Sequence, residues 1–230
     1  MRGLPMRKAC RVTILAATVS LAGCMSAVIE ESRELPTQIA AGEAVVILAK
    51  PQIEGAGADD DFMDCVGKGL DQASENIVVH DNNRFVDDLF PWFEPATAPA
   101  RPEAVTELLN KPDVGERIAA SGVRYLVWLD GGTRRLDGGG SLACGAAPGA
   151  AGCIGFGWWE KETDYEATIW DLQRARSAGS VGTSVTGTSA IVGAVVPLPF
   201  IARVEGTACD RLADQLHSFF TGGASGGSAQ

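Results

Sequence analysis

The heptapeptide Val123–Leu129 (VRYLVWL) is the stretch that most restricts what this chain can fold into. Apart from Arg124 it holds only valine, leucine and aromatic residues, the make-up of a strand near the centre of a sheet. Ala44–Ala49 (AVVILA) reads as a further strand of buried type, and Asn76–His80 (NIVVH) as another. Helical spacing fills the intervals. Phe62, Cys65, Val66, Gly69, Leu70 and Ala73 form an amphipathic stripe, and Asp59, Asp60 and Asp61 stand ahead of it, at the positive end of the helix. Capping explains those carboxylates more simply than a metal cluster does. Asp81 or Asn82 can cap a helix carrying Phe85, Val86 and Leu89. Pro102 and Pro112 suit the first turns of two more, one with Val105, Leu108 and Leu109 and one with Val114, Ile118 and Ala119, and Gly122 supplies a stop. Strand, helix, strand, helix, helix, strand in that order implies parallel pairing through right-handed crossovers.

The second half changes character. Gly131–Gly157 contains ten glycines and almost no apolar period, which reads as a long flexible insertion. It has no Gly-Lys-Ser/Thr step and is not a phosphate loop. Trp158–Glu162, Asp164–Leu172 (DYEATIWDL) and Ala178–Gly187 alternate as an antiparallel meander, with Tyr165, Ala167, Ile169 and Asp171 expected on one face. Ala190–Ile201 (AIVGAVVPLPFI) reads as an apolar loop broken by proline, either folded under the core or, if exposed, a partner surface or a membrane-touching flap. A closing helix carries Val204, Ala208, Cys209, Leu212, Leu216, Phe219 and Phe220. The expected class is therefore α/β, a mixed sheet with a parallel part and an antiparallel meander, helices packed on it.

At the amino terminus a basic segment with Arg2, Arg7, Lys8 and Arg11 precedes a ten-residue apolar run, Val12–Leu21. That is the layout of a signal peptide, and the run is about half the roughly 20 residues a membrane-crossing helix needs. Leu21-Ala22-Gly23-Cys24 resembles the lipobox of bacterial lipoproteins. The resemblance implies cleavage before Cys24, lipid on its thiol and acylation of the new amino terminus, giving several chains where one would hold only marginally. The expected organisation is a signal peptide at 1–23, a lipidated tether at 24–43, one domain at 44–220 with the glycine-rich insertion at 131–157, and a disordered tail at 221–230. Met25, where enterobacterial lipoproteins kept at the inner membrane carry Asp, points to the outer membrane, facing the periplasm.

Removing residues 1–23 takes four basic side chains and no acidic one, so the formal charge moves from −10 to −14. Such an acidic chain excludes nucleic acid as an expected partner, since phosphate backbones select clustered Lys and Arg. Cys65, Cys144, Cys153 and Cys209 remain after Cys10 and Cys24 are set aside. Four cysteines in an exported protein imply two disulfides with three pairings open. A zinc site fits less well, because no C-x-x-C spacing occurs and the only histidines are His80 and His217. Cys144 and Cys153 are separated by eight residues that include three glycines and a proline, an easy loop to close.

The order of elements, with Ile169-Trp170-Asp171-Leu172 in the meander and an amphipathic helix at the end, is similar to the anticodon-binding-like domain of the curli-secretion lipoprotein and the Tol propeller protein. Leu89–Pro95, Val123–Thr133, Trp158-Trp159 and Ile169–Leu172 also resemble a set of uncharacterised bacterial lipoproteins. These resemblances bring no catalytic residues. They do imply that the first and last helices lie side by side, which would let Cys65 pair with Cys209. The pore strands of the curli lipoprotein are not carried over, because the corresponding segments here read as too short and too rich in glycine.

The expected function is a non-enzymatic binding or assembly module, held at the membrane by its lipid and facing a protein partner in the envelope. Trp92 and Phe93, from the aromatic run Leu89–Pro95 (LFPWFEP), and Trp158 and Trp159 are the candidate partner-binding residues. No cofactor and no metal ligand set is expected beyond the lipid on Cys24. The alternatives are an envelope hydrolase using His80 or His217 with an acidic partner, and a small-ligand carrier using the tryptophans. No G-x-S-x-G, H-E-x-x-H or S-x-x-K context supports the hydrolase.

Overall fold

The computed structural model describes residues 25–51, 58–74 and 76–222. The signal peptide, Cys24 and residues 223–230 of the expected tail lie outside the described residues. Strands β1 (Met25–Arg33), β2 (Ala44–Ala49), β3 (Val78–His80), β4 (Val123–Ala147), β5 (Ala150–Asp171), β6 (Arg176–Val195) and β7 (Pro197–Phe200) form one sheet in the order β1-β6-β5-β4-β2-β3, with β7 also on β6. Pairing of β2 with β3 and β4 is parallel, and all other pairings are antiparallel. The class is α/β with a mixed sheet.

Helices cover both faces of the parallel half. Helix α1 (Asp60–Ala73) starts where Asp59 accepts a hydrogen bond from the Phe62 amide at 2.8 Å, and α2 (Asn82–Asp88) where Asp81 accepts one from Arg84 at 2.7 Å. Helices α3 (Pro102–Leu109) and α4 (Pro112–Ser121) each open on proline, and α4 stops at Gly122 with φ 71°. Alternation along the strands divides the core. Val45, Ile47, Tyr125, Val127, Tyr165 and Ile169 pack against α1 and the closing helix α5 (Val204–Thr221). Val46, Leu48, Leu126, Trp128 and Trp170 pack against Phe85, Val105 and Ile118 of α2, α3 and α4. Cys65 of α1 and Cys209 of α5 are disulfide-bonded with their Cα atoms 6.2 Å apart.

Three segments differ from their sequence reading. Residues 25–33, assigned to a tether, form β1 against β6 from Met25↔Gly187 to Arg33↔Gly179. Gly131–Gly157 is not a flexible insertion: it is the outer part of β4 and β5, strands of 25 and 22 residues joined by a tight turn and stapled by Cys144–Cys153. The short segments expected there are thus the longest strands of the sheet. Glycine is required by close backbone approach, because a Cβ on Gly140 would lie 2.2 Å from the Phe156 carbonyl oxygen and one on Gly155 2.1 Å from that of Ser141. Ala190–Ile201 is not a loop under the core, since it continues β6 and returns as β7.

Candidate functional site

The aromatic residues expected to bind a partner fall into two separate places. Phe93 is buried edge-on to Phe85, ring centroids 5.1 Å apart, and belongs to the core under β2 and β4. Trp92 packs half-buried against the same cluster, with the Lys111 ammonium 3.6 Å above its ring. Trp158 and Trp159 belong to β5 and, being successive strand residues, face opposite sides of the sheet. Within the run 89–95, Leu89 and Phe93 are buried, Trp92 is half-buried and Phe90 is exposed, while Trp158 and Trp159 are half-buried on the outer part of β5.

That element is the ribbon made by the outer parts of β4, β5 and β6 with β7. From Gly132 to Ala147 every β4 residue is exposed except Gly138 and Leu142, which are half-buried. Ile154, Phe156, Val192 and Leu198 stand out as exposed large apolar side chains, Ile154 at 76 %. Ribbon pairing sets them together: Phe156 is opposite Val192, and Val192 is opposite Leu198. The same face of β5 presents Glu160, Glu162, Asp164 and Glu166 nearer the domain. Alternation alone did not reveal this patch, because glycine and alanine dilute the apolar signal between its members.

The two histidines lie on separate elements, β3 and α5. His80 is half-buried at the end of β3, its Nδ1 3.0 Å from the Asp81 carbonyl oxygen, beside a groove that also holds Asp64, Lys68 and Asp71. Among the described residues lining that groove there is no serine, threonine or cysteine. His217 is half-buried on α5, a separate element. Among the described residues no three His, Cys, Asp or Glu side chains are grouped to hold a metal ion, and no helix is long and apolar enough to cross a membrane.

The densest polar network is structural. The fully buried Asp171 carboxylate accepts from Arg124 Nε at 3.0 Å and Nη2 at 2.8 Å, from Arg174 Nη1 at 3.2 Å and from the Arg174 amide at 3.0 Å. Arg124 also donates to Glu43 at 3.0 Å and Gln173 at 2.6 Å. Burial disfavours the guanidinium charge, but the bond to Asp171 and the negative charges around it outweigh that and raise its pKa. The network ties the base of β4 and β5 to the segment before β2. Arg124, the one charge in the run Val123–Leu129, is there to satisfy Asp171.

No family model matches the chain, and no curated protein matches it. Among solved structures it is similar to PelC from Paraburkholderia phytofirmans, a dodecamer. A single-substitution variant of PelC aligns at 10 % identity over 85 % of this chain and 99 % of that one, with a TM-score of 0.42. A PelC dodecamer in another crystal form aligns at the same identity and coverage with a TM-score of 0.36.

Proposed function

We propose that this chain is a lipid-anchored lipoprotein of the bacterial envelope, a non-enzymatic binding or assembly module held at the outer membrane on its periplasmic side. The observation that carries the reading is the junction of Leu21-Ala22-Gly23-Cys24 with β1, which begins at Met25. The residue that would bear the lipid is joined by one peptide bond to an edge strand of the sheet, with no linker between anchor and domain. Two disulfides fit an oxidising compartment. The exposed ribbon, and not a cleft with reactive side chains, is the surface available for a partner.

The test is Cys24→Ser. Labelling with radioactive palmitate marks the parent protein as a band shorter than its precursor. The variant is expected to remain uncleaved and unlabelled, and normal cleavage with membrane retention of the variant would overturn the reading. In a host with two membranes, Met25→Asp is expected to move the protein from the outer to the inner membrane on a density gradient.

A further inference from the structure

We propose that the outer end of the ribbon lies in the interfacial layer of the bilayer that holds the Cys24 lipid, with Ile154, Phe156, Val192 and Leu198 turned toward the acyl chains. The inference rests on the anchoring reading and adds a second, direct contact with lipid.

Register carries the argument first. Met25 pairs with Gly187, and Gly187 with Lys161. Because β1 is antiparallel to β6, going back from Met25 leads toward the ribbon's outer end. Cys24 is one peptide bond from Met25, its Cα within about 3.8 Å, and one register step outward from the Met25 level Thr188 pairs with Glu160 and Glu160 with Asp137. The lipid would thus leave the sheet at one defined height along the ribbon.

Charge changes at that same height. Asp137 and Glu160 are the outermost charged residues of β4 and β5: residues 138–159 contain none, and neither do residues 177–202. On one face of β5 the residues pass from Glu166, Asp164, Glu162 and Glu160 to Trp158, Phe156 and Ile154. Tryptophan at the change from charged to apolar is the arrangement expected at a membrane surface, where its ring sits at headgroup level. Ile154 stands six residues beyond Glu160, a reach of about 20 Å at roughly 3.3 Å per residue.

Backbone chemistry sets the orientation. β2 pairs with β4 only as far as Leu129, so the outer edge of β4 beyond it has no strand partner among the described residues. An open sheet edge is not tolerated in the hydrocarbon core, where nothing satisfies its amides and carbonyls. The ribbon therefore lies along the interface, edges at the level of headgroups and water, apolar face down.

The test uses the full-length acylated protein in vesicles of phosphatidylethanolamine and phosphatidylglycerol containing lipids brominated either near the headgroup end or near the chain terminus. Trp158 and Trp159 report, and Trp158→Phe with Trp159→Phe gives the background from the other tryptophans. Quenching is expected from both sets of lipids and more strongly from the shallow one, and it is expected to be lost in Ile154→Glu with Phe156→Glu while that variant still floats with the vesicles. A floating parent protein whose tryptophans are not quenched overturns the ribbon contact and leaves the anchor standing. A protein that does not float overturns both. Stronger quenching by the deep lipids overturns the interfacial placement, because the ribbon would then cross the core with its edges paired to other copies. A parent that is unquenched and self-associates, with Ile154→Glu and Phe156→Glu returning it to a monomer, overturns it in favour of a second copy of the chain.

Discussion

Cys65 and Cys209 join α1 to α5, and one helical turn further along each helix Gly69 meets Ala213 so closely that a Cβ on Gly69 would lie 2.8 Å from the Ala213 methyl. The two helices are thus held by a covalent bond and by a backbone approach that only glycine permits. The disulfide closes a sequence separation of 144 residues, and in the chain-entropy view a loop that long stabilises the fold by about 5 kcal/mol. Cys65→Ala with Cys209→Ala is expected to lose most of that, read as a lower urea midpoint with a steeper slope, because the released unfolded chain exposes more surface. A shift below about 1 kcal/mol would show that the reduced chain is already constrained. Cys144→Ala with Cys153→Ala opens only a hairpin outside the core, so its expected effect is faster hydrogen exchange at the ribbon end with little change in global stability.

Thr183 pairs with Tyr165 across β6 and β5, and its hydroxyl is buried with no hydrogen-bond partner. Such a group carries its desolvation cost uncompensated. Thr183→Val keeps the branched shape and removes the oxygen, and is expected to raise stability by about 1 kcal/mol. Thermal unfolding of the two proteins side by side checks it, and a lower Tm for the variant would mean that the hydroxyl is satisfied in solution.

Asp171 is enclosed by Arg124 and Arg174 with its side chain at 0 % exposure, whereas the Arg174 side chain is 51 % exposed. Removing the carboxylate leaves Arg124 without its main partner. Asp171→Asn is expected to cost about 3 kcal/mol, the low end for a broken buried pair, because both arginines keep some access to water. Combining it with Arg124→Met should recover part of the loss, and simple additivity of the two changes would show that they do not act as a pair.

The strands buried on both faces and the helices buried along one stripe were legible in the sequence. Ala44–Ala49 is β2 with those ends, and the stripe from Phe62 to Ala73, the caps at Asp59 and Asp81, and the stops at Gly122 are where pattern and chemistry agree. The ribbon was not legible, because a strand exposed on both faces has no burial to impose alternation and its glycines answer to close strand approach at positions such as Gly140 and Gly155. For the same reason β1 was hidden: its burial is nearly uniform and exposed, and its stability comes from the ladder to β6. Of the candidate site, Trp158 and Trp159 were found from composition. Their neighbours Ile154, Phe156, Val192 and Leu198 needed the register of three strands to bring them together.

Tyr165 is stacked on Phe62 with ring centroids 3.5 Å apart and planes within 8°, and is 1 % exposed. Burial raises the pKa of its phenol from 10 to about 12, and the nearby carboxylates of Asp59 and Glu205 push the same way by opposing a second negative charge. The sign follows from proton counting. Between pH 10 and 12 the unfolded chain has released this proton and the folded chain still holds it, so the stability attached to Tyr165 is present below pH 10 and is lost as the pH climbs through about 12. The expected result is a decline in Tm across that window that is shallower in Tyr165→Phe, which keeps the ring against Phe62 and removes the proton. Tyrosinate absorbance followed in the same titration should show a late-ionising phenol in the parent protein that is missing from the variant. Equal slopes for the two proteins above pH 10 would mean that Tyr165 is reached by water in the folded state and that the Phe62 stack is looser in solution than the structure has it.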